Sequence, residues 1–166
     1  MTFGMLYVFV EGPDDRRFFS FILKGKDIQI VEYSNMSQKK IANYIKSIVA
    51  IPGCDYIFTA DADGATIEQK IVKTKSHYPT CECEKIYIVQ REIESWYLAG
   101  IKEDKYPSIK KRKILNTDNT SKEEFDSLIP KHYTRVTFMI ELLNQYDLYL
   151  AKERNTSFMQ FVNSVL

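Results

Sequence analysis

Tyr7-Val8-Phe9-Val10-Glu11-Gly12-Pro13-Asp14-Asp15 is the stretch that decides how this chain folds. Residues 5–10 are mostly aromatic or β-branched, the composition of a short strand buried on both faces, and Gly12-Pro13 halts it. Asp14 is placed to cap a helix whose apolar positions Phe18, Phe19, Ile22 and Leu23 recur at helical spacing, with Gly25 to stop it. Strand, tight turn and helix therefore follow one another directly.

The same unit recurs downstream. Residues 28–33 read as a second strand, and Ser37 caps a helix carrying Ile41, Ile45, Ile48 and Val49 on one face, closed by Pro52-Gly53. Residues 56–60 form a third strand ending at Asp61. A turn at Gly64 follows, then a helix with Ile67, Ile71 and Val72 on its buried side, and residues 85–89 form a fourth strand. Strands alternating with helices of this length require crossover connections, so the expected fold is α/β: a mainly parallel, Rossmann-like sheet flanked by helices. Beyond Glu92 the period is helical. Ile93, Trp96 and Tyr97 begin a helix that Gly100 ends, with both aromatics read as core. Residues 102–120 are polar and read as an excursion. Val136, Ile140 and Leu143 share one helical face, and Phe158, Phe161, Val162 and Val165 share another after Ser157. The expected organisation is one domain over 1–166, an α/β core over 1–99 with a helical extension over 100–166 packed on it.

Bulk properties narrow the class. A chain of 166 residues with 45% hydrophobic content can bury a core without covalent staples. Its three cysteines are an odd number, and Cys81 and Cys83 stand in a C-x-C with no second pair to complete a zinc site. No stretch approaches the roughly 18 apolar residues of a membrane span, so no membrane partner and a cytoplasmic location are expected. With 23 basic against 22 acidic side chains the formal net charge is +1, which lacks the basic excess of many nucleic-acid binders. Lys110 to Lys113 are a local basic run, which also reads as a solvated turn.

In an open parallel sheet ligands bind beyond the carboxyl ends of the strands. Two of those ends carry acids: Val10-Glu11-Gly12-Pro13-Asp14-Asp15 and Thr59-Ala60-Asp61-Ala62-Asp63-Gly64, while Glu92 and Glu94 follow the fourth strand. Clustered carboxylates repel unless a cation neutralises them. Oxygen ligands without a nearby His or Cys favour Mg²⁺ or Mn²⁺, ions that take their remaining contacts from phosphates. Gly12 would let the backbone approach such a phosphate. Each motif alone also reads as a helix cap or a turn.

A strand ending in Glu-Gly, followed after a βαβα unit by a strand ending in Asp-x-Asp-Gly, resembles the Toprim domain of topoisomerases, primases and overcoming-lysogenization-defect nucleases. Gln90-Arg91-Glu92-Ile93-Glu94-Ser95-Trp96-Tyr97-Leu98-Ala99 is similar to a Glu-x-Trp-Leu segment of small stand-alone Toprim proteins of that last kind, as are His132-Tyr133 and Ser157-Phe158-x-x-Phe161. The resemblance implies that Asp61 and Asp63 bind metal, that Glu11 is a ligand or the general acid-base, and that Asp15 is a second acid. It also implies one or two metal ions, with Glu92 or Glu94 completing the second site. The expected activity is metal-dependent hydrolysis of phosphodiester bonds in DNA or RNA, with Glu11, Asp61 and Asp63 as catalytic residues. Arg16 and Arg91 stand beside the acidic motifs as candidates to hold phosphates, and each also reads as surface.

Two rival readings stand beside this. Asp61-Ala62-Asp63-Gly64 also resembles the nucleophile loop of haloacid-dehalogenase phosphatases, although two strand-helix units precede it here. The other rival is a Toprim-like subunit that binds nucleic acid, or a partner ATPase in trans, without catalysis. The chain has no phosphate-binding Gly-x-x-x-x-Gly-Lys-Ser/Thr loop of its own. His77 and His132 lie outside all the motifs and read as structural.

Overall fold

The structure is a computed structural model that describes residues 4–166. The chain is a mixed α/β protein that divides into two compact units, Met1–Ile88 and Val89–Leu166.

The sheet is built from β1 (Leu6–Val10), β2 (Ile28–Glu32), β3 (Asp55–Asp61) and β4 (Ile86–Val89), in the spatial order β2-β1-β3-β4. Its strands run parallel, as the sequence alternation requires. Phe9 sits between Val31 on β2 and Phe58 on β3, and all three are buried. Helices α1 (Pro13–Ile22), α2 (Gln38–Val49) and α3 (Ile67–His77) make the crossovers. The chain goes from β1 to β2 on one side, then returns past β1 to β3 on the other. The strand order therefore reverses between β1 and β3, and the crevice beyond their carboxyl ends is where such a sheet takes ligands.

Local chemistry explains most of the boundaries and corrects some. The Ser37 hydroxyl accepts from Lys40 N–H at 3.2 Å and starts α2, whose Ile41, Ile45 and Ile48 are buried. Asp14 does not cap α1. Gly12 holds the cap position in an extended conformation (φ −157°), Pro13 opens the helix, and Asp14 turns in its first turn to pair with Arg17 at 2.8 Å. Helix α3 is capped reciprocally by Thr66 and Gln69. Its expected buried side is displaced: Val72 is 70% exposed, Ile67 and Ile71 are half-buried, and Thr74 is buried instead.

The second unit is helical after the end of β4: α4 (Glu94–Ala99), α5 (Pro107–Lys110), α6 (Lys122–Ser127), α7 (Arg135–Asn144), α8 (Leu148–Arg154) and α9 (Thr156–Val165). Trp96 and Tyr97 are fully buried, and Trp96 packs edge-on against Phe158 at 5.1 Å between ring centroids. The polar stretch 102–120 is tied to this unit. Tyr106, Ile109 and Thr117 are buried, and Arg154 donates to the carbonyls of Ala99 and Ile101 while pairing with Glu103. Helix α7 also turns a different face inward. Phe138, Met139, Leu142 and Leu143 are buried, whereas Val136 and Ile140 face solvent. Among the described residues no helix is long and apolar enough to cross a membrane.

Candidate functional site

Glu11 and Asp61 leave adjacent strands at the point where the strand order reverses. The Asp61 N–H donates to Glu11 Oε1 at 3.2 Å, so one carboxylate oxygen of Glu11 is committed to fastening the two strand ends together. The Tyr33 hydroxyl, just past β2, donates to Thr59 O at 2.7 Å and lies 3.4 Å from the same Glu11 oxygen. Glu11 Oε2 takes part in neither contact. Burial lifts the Glu11 carboxyl above the usual carboxylate range. The Asp61 amide works against that shift, and the negative charge of Asp63 adds to it.

Past Asp61 the chain turns away. Asp63 (φ 52°) and Gly64 (φ 88°) both occupy the left-handed region, which swings the Asp63 side chain outward to meet Lys70 Nζ at 3.2 Å. The remaining acids have partners or places of their own. Asp15 is buried in the first turn of α1. In the second unit, Glu92 accepts from the Lys122 N–H, and the buried Glu94 is clamped by Arg135, which also holds Asp126. Burial raises the Glu94 pKa even with that guanidinium beside it. Among the described residues no three His, Cys, Asp or Glu side chains group so that they could hold a metal ion.

That finding corrects the expectation of metal-dependent phosphodiester hydrolysis, and with it Mg²⁺ or Mn²⁺ as cofactor. The left-handed turn at Asp63-Gly64 carries Asp63 away from Asp61 to Lys70, so proximity in sequence does not become a shared coordination sphere. Arg16, a candidate phosphate ligand, is taken up by Glu32 at 2.5 Å.

A different arrangement occupies the crevice. A pocket of about 150 Å³ opens beside Glu11, floored by Tyr33, Phe58 and Ala60, with Tyr78 on its wall and Lys70, Lys73, Thr74 and His77 of α3 along one side. Lys70, Lys73 and His77 fall at intervals of three and four residues, so they share one face of the helix. Lys70 is shared with Asp63, whereas Lys73 makes no ion pair among the described residues. His77 Nδ1 lies 3.2 Å from Lys73 O, so the tautomer protonated at Nδ1 donates there and leaves Nε2 for another partner. The Tyr33 and Phe58 rings stack at 4.4 Å, and Tyr78 lies 5.0 Å from Phe58.

Comparison with protein-family models, curated proteins and solved structures gave no match.

The acids were conspicuous in the sequence; the basic face of α3 was not. Its signal was present as Lys70-x-x-Lys73-x-x-x-His77, a spacing that puts three cationic or protonatable groups on one helix face. The apolar periodicity of Ile67, Ile71 and Val72 on the same helix is the stronger pattern in the sequence.

Proposed function

We propose that the chain is a Toprim-like α/β module that binds nucleic acid through its phosphates without cleaving it. The observation that carries this reading is the α3 face presenting Lys70, Lys73 and His77 beside the crevice between β1 and β3. Lysines placed in this way neutralise backbone phosphates without reading sequence. Lys73 has no competing ion pair among the described residues, and Lys70 needs only to exchange the exposed Asp63 carboxylate for a phosphate oxygen. The Glu11 carboxylate repels phosphate from the crevice floor and so holds the backbone at the α3 side. A formal net charge of +1 fits a local rather than a global basic surface. The strand-end motifs at Glu11-Gly12 and Asp61-Ala62-Asp63-Gly64 support the Toprim likeness. The free thiols of Cys54, Cys81 and Cys83 fit the reducing cytoplasm as the place of action.

The test is fluorescence anisotropy with labelled single- and double-stranded DNA and RNA, once in EDTA and once in Mg²⁺ or Mn²⁺, followed in each case by recovery of the strand on a denaturing gel. The reading expects saturable binding with the strand intact, lost on Lys73→Glu. Equal affinity of the wild-type protein and Lys73→Glu would overturn it.

A further inference from the structure

The pocket holds more than a phosphate needs. At about 150 Å³ it is well below the roughly 300–1,000 Å³ of a drug-sized ligand site, and its floor is aromatic. A flat ring of nucleobase size fits such a space, with Tyr78 as the half-buried ring to stack on. The one acidic group in the described lining is Glu11. Its Oε1 is held by the Asp61 N–H, so Oε2 is the oxygen left to accept from a ligand. Lys73 and His77 of α3 also line the pocket, and either can meet an anionic group carried by the ligand.

From this geometry we infer that the pocket takes one unpaired nucleobase bearing an exocyclic amino group. The amino group donates to Glu11 Oε2, and the attached phosphate lies against Lys73. Cytosine is accepted and uracil refused, because uracil presents a carbonyl oxygen to the carboxylate where cytosine presents N–H. The same chemistry is offered by a base extruded from a strand and by a free nucleoside monophosphate. Binding from a strand rests on the nucleic-acid reading given above; binding of the free nucleotide does not.

Glu11→Gln gives the sharpest test. The amide oxygen of the substituted side chain is held inward by the Asp61 N–H, which sends its NH₂ group into the position of Oε2 and turns an acceptor into a donor. Cytidine and uridine 5′-monophosphates are titrated calorimetrically in EDTA, and cytidine and uridine decamers by anisotropy, against the wild-type protein, Glu11→Gln and Lys73→Ala. The wild-type protein is expected to prefer cytidine by about tenfold in both forms. Glu11→Gln is expected to reverse the preference, and Lys73→Ala to weaken both ligands while leaving their ratio unchanged.

Equal binding of cytidine and uridine by the wild-type protein, with the decamers still bound, overturns the base pocket and leaves the phosphate reading standing. Discrimination between the monophosphates without any decamer binding supports the pocket and overturns the nucleic-acid reading. A cytidine preference that survives Glu11→Gln, in protein whose circular dichroism matches the wild type, also overturns the inference. Absence of binding to all four ligands overturns both.

Discussion

Replacing Asn155 by Ala should cost the second unit about 3 kcal/mol, because this one buried side chain serves three elements. Asn155 is fully buried. Its Oδ1 accepts from the Phe158 N–H at 2.9 Å, capping α9, and from the Ser157 hydroxyl at 3.0 Å. Its Nδ2 donates to Thr117 Oγ1 at 3.0 Å, pinning the polar stretch. Ser157 Oγ in turn accepts from Trp96 Nε1 at 2.9 Å and from the Gln90 N–H at 3.0 Å. Loss of the cap costs about 1 kcal/mol. Leaving the buried Thr117 and Ser157 hydroxyls short of a partner costs roughly 1–3 kcal/mol more. Trp96 is the chain's one tryptophan and sits within this network, so its fluorescence during urea unfolding reports the unit directly. At a slope of about 2 kcal/mol per molar urea, the midpoint should fall by about 1.5 M. A fall of less than about 0.3 M, with the slope unchanged, would refute the assignment of this network as a keystone.

Four further outcomes follow from single sites. Gly100→Ala should destabilise by about 1–3 kcal/mol in the same urea assay, since a Cβ there would lie 2.3 Å from the Tyr146 ring, which is held by its hydroxyl bond to Trp96 O. Gly12→Ala should leave the melting temperature unchanged, because its backbone is extended and a Cβ meets nothing within 4 Å, whereas Gly64→Ala (φ 88°) should lose about 1–2 kcal/mol. The raised Glu11 pKa means the folded state holds that proton more tightly than the unfolded chain. Its contribution to stability is therefore fully present below the ordinary value of 4.5 and is lost as the pH rises through the folded pKa. Glu11→Gln should accordingly raise the melting temperature at about pH 7.5, a gain that shrinks toward about pH 4.5 in a calorimetric pH series.

The parallel sheet was legible because uninterrupted runs such as Val8-Phe9-Val10 and Ile57-Phe58 can only be buried on both faces, and the residues between them cross over as helices. Trp96 and Tyr97 were legible as core because they recur with Ile93 at helical spacing. Helix faces were harder to read. In α7 the Phe138, Met139, Leu142 and Leu143 set wins burial over Val136 and Ile140, and no periodicity separates two overlapping apolar stripes. The acids at the strand ends could be placed by sequence, but their directions could not. Asp63 leaves Asp61 because the turn is left-handed, and Glu94 is drawn to an arginine 41 residues away in the chain. Asn155 is a residue type that caps helices, but its buried network was not legible, since its partners Thr117 and Trp96-bound Ser157 are brought together only by the fold.

The most direct test of the central claim is the salt dependence of binding to a labelled single-stranded oligonucleotide, measured in EDTA for the wild-type protein and for Lys70→Gln/Lys73→Gln. If the α3 lysines neutralise two phosphates, the slope of log affinity against log salt should become shallower by about 1.4 in the double variant, roughly 0.7 for each contact. An unchanged slope with unchanged affinity would contradict the account and place any nucleic-acid contact elsewhere on the protein.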